Sequence, residues 1–453
     1  MASTGLLQVS LLNANKVAPI EGAKVKITKV GEGGAQTQSA EYTTGISGET
    51  INIELPTPDI ENSMRPSEKL PYSLYDVDIE NEGYVPLKIK GVQVMPEELA
   101  IQMGRVEPEQ RGCRRQAEQV IVVDPNTLVG NYPPKIPENP EKPLPPPPSG
   151  FVVLPEPVIP ELVVVHQGGP EDASAPNYTV RFKDYIKNVA SCEIFATWPE
   201  STIRANVYCI LSFTINRIYT EWYRGKGKDF DITNSTAYDH AFSYGRTIYE
   251  SISNVVDDIF TNYVKRFGQK QPLLTQYCDG VKVQCPGWMT QWGSKYLGDE
   301  GKSPYEILTN FYGRDLEIVE AKRVAGIPMS YPGYTLGIGS SGEPVRTVQR
   351  FLNRIGDNFP AIPKVRVDGI YGENTANAVR EFQKIFHLPI SGTVNYPTWY
   401  AISDIYVGVS KIAELRSDYT RSDYRGEKKI FIPHRPHKNV YDVPTTEYYD
   451  DIF

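Results

Sequence analysis

Short apolar runs that alternate with polar residues fill the first hundred positions of the chain. Gly, Pro and Asn, which favour turns, separate these runs. Alternation with a period of two predicts strands that bury one face. The strand-like runs are residues 6–12, 23–27, 51–55, 75–79 and 86–89. We therefore predict an N-terminal β-sandwich over residues 1–119, and no catalytic constellation is visible in it.

Further along the chain the apolar period becomes helical. Apolar residues recur every three or four positions over residues 200–223 and 246–267, and residues 293–312 are also rich in helix signals. Residues 273–277 are strand-like. The pattern predicts a central α+β domain over residues 166–330. A third, helical block covers residues 331–410, so the predicted fold class is multidomain α+β.

Proline is concentrated between the first two blocks. Residues 125–160 contain 13 of the 37 prolines, including the run Pro145-Pro146-Pro147-Pro148. A stretch of this kind favours an extended, polyproline-like conformation. We therefore predict a Pro-rich linker over residues 120–165 that keeps the two blocks apart. Residues 411–453, which are rich in Tyr, Asp, Arg and Lys without periodicity, are predicted to be a disordered tail.

Composition and charge exclude several classes of protein. The chain has 453 residues and a formal net charge of −8, which argues against nucleic acid as a partner. No run approaches the ~20 apolar residues of a membrane-spanning helix, so no membrane span is expected. The first residues lack the basic start and apolar core of a secretory signal. Five scattered cysteines are too few to organise a fold of this size.

The third block contains a specific pattern. An apolar helix face at residues 345–352 is followed by the turn Asp368-Gly369-Ile370-Tyr371-Gly372-Glu373-Asn374-Thr375, a second helix, and an exit segment at residues 388–394. This order of elements, over about 70 residues, resembles the three-helix peptidoglycan-binding module of cell-wall hydrolases. The resemblance implies a C-terminal three-helix domain and peptidoglycan glycan strands as its partner, although no sugar site is visible in the sequence.

The central block contains three segments that carry a second resemblance. They are Val189-Ala190-Ser191-Cys192-Glu193-Ile194-Phe195-Ala196-Thr197-Trp198-Pro199, residues 231–239 and Met289-Thr290-Gln291-Trp292-Gly293. In this order they resemble the stage II sporulation protein D family of lytic transglycosylases. The resemblance implies that Glu193 is the catalytic residue and that Gln291 and Trp292 line the cleft.

Aromatic and amide side chains extend this candidate cleft. Aromatic faces stack on sugar rings and amides bond sugar hydroxyls, so Tyr238, Tyr277 and Trp198 join Gln291 and Trp292 as substrate-binding candidates. Each of these residues, taken alone, is more often part of a core than a contact.

The predicted chemistry depends on one carboxyl group. Breaking a glycosidic bond requires a carboxylic acid that is still protonated near neutral pH, which burial favours. In a lytic transglycosylase the 6-hydroxyl of muramic acid attacks the anomeric carbon and leaves a 1,6-anhydro end, so one Glu can serve as acid and then as base. The structural alternative is that Glu193 caps or pairs near the following helix. Asp239 is the candidate for a second carboxylate, which would indicate a hydrolase, but an Asp that holds a turn is the better interpretation.

A structural zinc is left open. His240, Cys278 and Cys285 are three candidate ligands of a tetrahedral site. The cysteine spacing is wider than usual and no fourth ligand is visible, so a disulfide or free thiols is the alternative. Apart from this zinc, no cofactor is expected. Cys192 has no His partner pattern, which argues against a nucleophilic cysteine.

The complete arrangement resembles the germination-specific spore cortex-lytic enzymes. The resemblance implies a proenzyme located in the cortex or coat region of the spore, which cleaves the MurNAc-GlcNAc bond of cortex peptidoglycan. It also implies removal of the N-terminal block by a subtilisin-like germination protease, and we predict the cut between Gln119 and Val120. Two alternatives remain: an N-acetylmuramoyl-L-alanine amidase, and a non-catalytic peptidoglycan-binding spore protein.

Overall fold

The structure is a computed structural model that describes residues 3–31, 36–109, 117–130, 132–138, 156–285 and 287–410. The chain divides into two compact units, Met1–Lys322 and Arg323–Phe453. The fold is mixed α+β, as predicted. No helix in the described ranges is long and apolar enough to cross a membrane. The predicted tail at 411–453 and residues 139–155 of the predicted linker lie outside the described residues.

Two sheets form the N-terminal part of the first unit. The elements are β1 Ser3–Asn13, β2 Lys24–Val30, β3 Gln36–Thr43, β4 Ile53–Thr57, α1 Glu61–Met64, β5 Ser73–Glu80, β6 Leu87–Val94, β7 Leu99–Val106 and β8 Gln119–Val122. One sheet has the order β3-β2-β5-β6-β8, with β8 parallel to β6. The other contains β7-β1-β4, with β1 parallel to β7. All five predicted runs fall on strands.

Alternation of side chains explains how the two sheets pack. In β5 the side chains of Tyr75, Val77 and Ile79 are buried, while Asp78 between them pairs with Lys88 of β6. Gly104 of β7 leaves room for side chains of both sheets. A Cβ at this position would lie 2.7 Å from Cδ2 of Leu11 in the same sheet and 3.2 Å from Cδ2 of Leu87 in the other, so a larger residue would require these side chains to shift.

Helix α3 is the centre of the second part of the first unit. The elements of this part are β9 Leu162–His166, β10 Asn177–Arg181, α2 Phe182–Glu193, α3 Glu200–Tyr219, β11 Ile232–Thr233, β12 Ile248–Tyr249, α4 Glu250–Ile259, β13 Asn262–Arg266, β14 Tyr277–Cys278, β15 Met289–Thr290, α5 Gln291–Asp299, α6 Pro304–Tyr312 and β16 Leu316–Glu320. Helix α3 is buried around most of its circumference, and α2, α4, α5 and α6 pack against it. Such a helix is typical of the core of a large domain.

Two secondary-structure predictions are wrong in this part. Residues 246–267 are not one helix, because α4 ends at Ile259 and β13 follows, paired antiparallel with β16. A Tyr-Val pair in β13 suits a strand, and the partner strand lies too far along the chain to be read from local periodicity. Residues 273–277 form no extended strand. Side chains replace the ladder there, with Thr275 Oγ1 donating to the carbonyl of Cys209 at 2.7 Å.

The two parts are not kept apart by the proline-rich segment, and that prediction is also wrong. Strand β12 pairs antiparallel with β7 and adds a fourth strand to the β7-β1-β4 sheet. Strand β9 begins inside the predicted linker, ends one residue beyond it, and is the middle strand of a β10-β9-β11 sheet. The described residues of the linker therefore belong to one compact unit with both parts.

The second unit contains three helices among its described residues: α7 Glu343–Gly356, α8 Glu373–Ile385 and α9 Tyr396–Val409. A buried glutamine on each of the first two helices holds the turn that follows it. The amide of Gln349 accepts from Gly369 N and donates to Ile370 O, and that of Gln383 accepts from Gly392 N and donates to Thr393 O. Gly369 has φ = 75°, which glycine adopts without strain.

Candidate active site

Glu193 is the last residue of α2, and its side chain is 8% exposed. Its two carboxyl oxygens are both oriented by hydrogen bonds. The backbone N–H of Ala241 donates to Oε1 at 2.6 Å, and the side-chain amide of Gln291 donates to Oε2 at 2.8 Å. The same Gln291 nitrogen lies 2.6 Å from the carbonyl oxygen of Glu193. The structure thus brings together Glu193 and Gln291, which are 98 positions apart in the sequence.

The segment from Thr290 to Gly293 has a structural reason for each residue. Thr290 is the N-cap of α5, and its Oγ1 accepts from Gly293 N at 3.2 Å. A Cβ at position 293 would collide with that Oγ1 and approach Phe311, so a glycine is required. The cap fixes the start of α5, and Gln291, the first residue of the helix, is buried with its amide against Glu193.

A pocket of about 450 Å³, part of which is open solvent, lies beside the Glu193 carboxyl. Its lining comes from both the central elements and the proline-rich segment: Thr127, Leu128, Tyr132, Pro133, Lys135, Cys192, Glu193, Thr236, Ala241, Tyr277, Cys278, Asp279, Val283 and Gln291. Three of the predicted site residues, Glu193, Gln291 and Tyr277, therefore line one pocket. Tyr238, Trp198 and Trp292 are not in this lining.

One wall of the pocket is a segment that sequence reasoning did not find. We call residues 123–130 and 132–138 the strap. Glu138 makes a two-pronged ion pair with Arg217 at 2.7 and 2.8 Å, and Arg217 is fully buried. The backbone N–H of Ile136 donates to Ala237 O at 2.9 Å, and Gln276 bonds the backbone at both Ile136 and Glu138. The strap is thus fixed to the central elements, although its sequence shows no periodicity.

Lys135 of the strap is the cation among the described lining residues. Its Nζ donates to the carbonyl of Asp239 at 3.2 Å and lies 5.3 Å from the centre of the Tyr277 ring. Burial lowers the pKa of Lys135, whereas the carboxylates of Glu193, Asp239 and Asp279 favour its charged form. The pocket therefore presents an amine and a carboxyl group together.

Asp239 is a structural residue, in agreement with the preferred interpretation. Its Oδ1 accepts from Arg217 Nε at 2.8 Å, and its Oδ2 accepts from the Tyr223 hydroxyl and from both N and Oγ1 of Thr233. These side-chain contacts hold the core together. Asp279, which does line the pocket, uses Oδ1 to accept three backbone N–H groups of the following turn.

The three zinc candidates are engaged in other bonds. Cys278 and Cys285 form a disulfide, so their sulfurs are not thiolate ligands in this structure. His240 is buried, its Nδ1 lies 2.7 Å from the Tyr277 hydroxyl, and burial holds the pKa of His240 well below its usual value. Over the described ranges, no group of three His, Cys, Asp or Glu side chains could hold a metal ion.

Trp198 and Trp292 pack together next to the pocket, with ring centres 5.0 Å apart. The N-terminal part of the unit contacts Trp198, and residues of this part between Asn62 and Pro71 line a small second pocket together with Trp292. Trp198 Nε1 donates to the carbonyl of Ser63 at 2.9 Å, and the Thr197 hydroxyl pairs with that of Ser63 at 2.8 Å. Because they are 3% and 2% exposed, neither ring offers a free face to a sugar in this arrangement.

The predicted cleavage site lies on β8, the edge strand of the five-stranded sheet. Gln119 N donates to Pro86 O at 2.9 Å, and Gln119 and Val120 lie opposite Leu87 and Lys88 of β6. The Val120 side chain is 51% exposed. Residues 110–116, just before it, lie outside the described residues.

Comparison with known proteins gives local matches. No curated protein matches the chain. One solved structure with local likeness is the SleB N-terminal domain, with 27% identity over 17% of this chain and 99% of that chain and a TM-score of 0.15. Another is sea bream transthyretin in complex with thyroxine, with 18% identity over 23% of this chain and 88% of that chain and a TM-score of 0.15. A third is catechol 1,2 dioxygenase of Acinetobacter radioresistens, with 14% identity over 26% of this chain and 58% of that chain and a TM-score of 0.16.

One protein-family model matches the second unit. Residues 341–402 match the family described as a putative peptidoglycan binding domain. This range begins two residues before α7 and ends inside α9, so it includes the two turns that Gln349 and Gln383 hold. The chain therefore carries a peptidoglycan-binding domain, and peptidoglycan is the partner that this match supports.

Proposed function

We propose that the protein is a peptidoglycan lytic transglycosylase in which Glu193 acts as general acid and then as general base. One observation carries the proposal: Glu193 is a nearly buried carboxyl that faces a pocket with both oxygens held in place. Both carboxyl oxygens of Asp239 are occupied by structural bonds, and Asp279 uses Oδ1 to hold the turn that follows it. A reaction that needs a single carboxyl group suits this arrangement.

In the proposed reaction Glu193 first donates a proton and later accepts one. Glu193 donates its proton to the glycosidic oxygen as the bond from that oxygen to the anomeric carbon of the muramoyl residue breaks. The carboxylate then accepts the proton of the muramoyl 6-hydroxyl, while the oxygen of that hydroxyl bonds to the anomeric carbon. The products are a 1,6-anhydro end and a free hydroxyl, and Glu193 is protonated again. A carboxyl oxygen has two acceptor sites, so the bonds from Ala241 and Gln291 leave room for the proton.

The peptidoglycan-binding domain at residues 341–402 supports this choice of substrate. A domain that holds the polymer raises the effective concentration of glycan at a tethered catalytic site. In this proposal the second unit supplies affinity, and the pocket of the first unit supplies the chemistry.

The complete layout corresponds to a spore cortex-lytic proenzyme of the SleC type, located in the spore. Residues 1–119 would be the pro-region, and they cover Trp198 and Trp292 beside the pocket. A subtilisin-like germination protease would cut between Gln119 and Val120. Storing the enzyme beside its substrate then requires that this cover remain in place until germination.

Digestion of purified spore cortex tests the function. Cortex fragments are analysed by mass spectrometry after incubation with protein that has been cut with a subtilisin-type protease and separated from its N-terminal fragment. We expect 1,6-anhydro ends with the wild-type protein and with Glu317→Gln, a control that removes a surface carboxylate paired with Lys265. Glu193→Gln should release none. Its amide can accept only one of the two N–H bonds, so we expect a lower unfolding temperature, and a cooperative thermal transition shows that the variant is folded.

Each other outcome contradicts the assignment in a recognisable way. Released stem peptides would indicate an amidase, and binding without products would indicate a binding protein. Anhydro ends from Glu193→Gln would remove that residue from the mechanism.

A further inference from the structure

We propose that the N-terminal block stays bound to the rest of the chain after the backbone is cut at the start of β8, so that activation requires a separate dissociation step. This inference concerns the regulation of the pocket, and its link to activity rests on the proposed function. The binding itself can be tested without any activity. Four features of the first unit support it.

The first feature is that both sheets of the N-terminal block contain a strand from beyond the cut. Strand β8 is an edge strand of the five-stranded sheet, and the three of its residues that follow the cut pair with β6, from Val120 opposite Lys88 to Val122 opposite Lys90. Strand β12 is an edge strand of the other sheet and pairs with β7, with Ile248 opposite Ile101. Removing the N-terminal block would leave two unpaired strand edges on that block, which is unfavourable in a soluble protein.

The second feature is a buried polar network at the β7–β12 contact. Gln93 and Gln102 of the N-terminal block are both 0% exposed. Gln102 accepts from Thr247 Oγ1 at 2.7 Å and donates to Gly245 O at 2.9 Å. Arg246 donates to Gln93 Oε1 at 2.9 Å. Buried polar groups that are fully paired across a contact are typical of a protein core rather than of a transient surface.

The third feature is that the strap ties the two sides together at a different place. The Tyr72 hydroxyl of the N-terminal block donates to Asn126 O at 2.8 Å, and the Asn126 amide donates to Ser191 O at 3.0 Å. Along the chain, Asn126 follows the cut and immediately precedes Thr127, the first residue that lines the pocket. A single residue of the strap therefore joins the N-terminal block to helix α2, which carries Glu193.

The fourth feature is the contact of the N-terminal block with Trp198, described above. This contact is made by Ser63 of α1, away from the two strand pairs, so the block is held at several separate places. A backbone cut removes only the covalent tether, whose contribution is an effective concentration. The contacts themselves are unchanged by the cut. The cut protein would thus keep Trp198 and Trp292 covered until the block leaves.

The test uses the full chain with an engineered cut. Residues 110–116 are replaced by the recognition sequence of an unrelated protease, the purified protein is cut to completion, and the product is analysed by size exclusion and native mass spectrometry at micromolar concentration. We expect both fragments in one peak at a 1:1 ratio. Fragments that elute apart, or an N-terminal fragment that aggregates while the larger one stays soluble, would overturn the proposal.

A pair of variants connects the result to the interface. Gln102→Leu removes two buried bonds across the contact and leaves the Thr247 hydroxyl without its acceptor, so we expect the cut fragments to dissociate about tenfold more readily. Gln8→Leu is the matched control, because Gln8 bonds only Thr50 within the N-terminal block. Equal dissociation of the two variants would contradict the role of the network. Since the readout is binding, this failure differs from a failure of the proposed function, whose readout is anhydro ends.

Discussion

We expect Glu98 to make the stability of the first unit sensitive to pH. It lies just before β7, and its Oε2 accepts from the Ser251 hydroxyl of α4 at 2.8 Å, across the contact between the two parts. Burial raises the pKa of Glu98 from 4.5 to about 7, the neighbouring carboxylates Glu250 and Glu97 add to the effect, and the Ser251 bond opposes it. The folded unit therefore prefers Glu98 in its protonated form.

The sign and size of the effect follow from this difference. When the chain unfolds, Glu98 recovers its ordinary pKa near 4.5. The contribution of protonated Glu98 to the free energy of unfolding is fully present below pH 4.5 and is lost as the pH rises through about 7. At ~1.4 kcal/mol per tenfold step in proton affinity, the loss reaches about 3 kcal/mol. Between pH 5 and pH 8 the expected loss is about 2.5 kcal/mol.

Urea unfolding at several pH values measures this loss. Four of the five tryptophans lie in Met1–Lys322, so fluorescence reports mainly on that unit. Other groups also titrate, so the quantity to compare is the wild-type free energy of unfolding minus that of Glu98→Gln. We expect this difference to fall by about 2.5 kcal/mol from pH 5 to pH 8. Glu54→Gln, a change in an exposed carboxylate that does not act on Glu98, should follow the wild type. Parallel curves for the wild type and Glu98→Gln would refute the reasoning.

Three further predictions concern the core behind the pocket. Arg217→Met leaves the buried Asp239 without its cation and should cost about 3–5 kcal/mol in urea unfolding, whereas Arg204→Met, which breaks exposed pairs, should cost under ~1 kcal/mol. Glu138→Gln breaks the two-pronged pair that anchors the strap, so limited proteolysis should cut the strap faster than in the wild type, while equal rates would mean that other contacts hold it. Cys285→Ser opens the eight-residue disulfide loop and should lower the free energy of unfolding by about 2.5 kcal/mol in oxidising buffer. In reducing buffer the wild-type protein should unfold at the same urea concentration as the variant. A difference in stability that persists in reducing buffer would contradict the role of the disulfide.

Periodicity predicted the parts of the fold that have long, regular elements. Helix α3 was expected over residues 200–223 and spans Glu200–Tyr219, because its apolar positions recur at helical spacing over five turns. The contact of Glu193 with Gln291 was expected only through the family resemblance. Nothing in the local pattern near either residue indicates that they meet.

The features that complete the site were beyond sequence reasoning for physical reasons. Strand β12 has two residues, too few to show a period, and its identity comes from pairing with β7. The strap consists of proline-rich sequence whose hydrogen bonds go to side chains such as Gln276 and Arg217 rather than to a ladder. Arg217 occupies a buried position on α3, where an isolated charge is unfavourable, and only the fold shows the two carboxylates that pair with it.

The covered tryptophans connect the fold to the proposed regulation. In the described part of the chain, the indole nitrogen of Trp292 is buried and has no hydrogen-bond acceptor. An unpaired buried donor costs roughly 1–3 kcal/mol, so the closed arrangement carries an unfavourable group beside the pocket. Loss of the N-terminal block would remove the Ser63 contact and open the surface around both rings. A sugar hydroxyl could then accept from Trp292 while the rings supply a stacking face. Under the proposed regulation, two of the residues that the sequence predicted for glycan binding, Trp198 and Trp292, stay inaccessible for as long as the N-terminal block is bound.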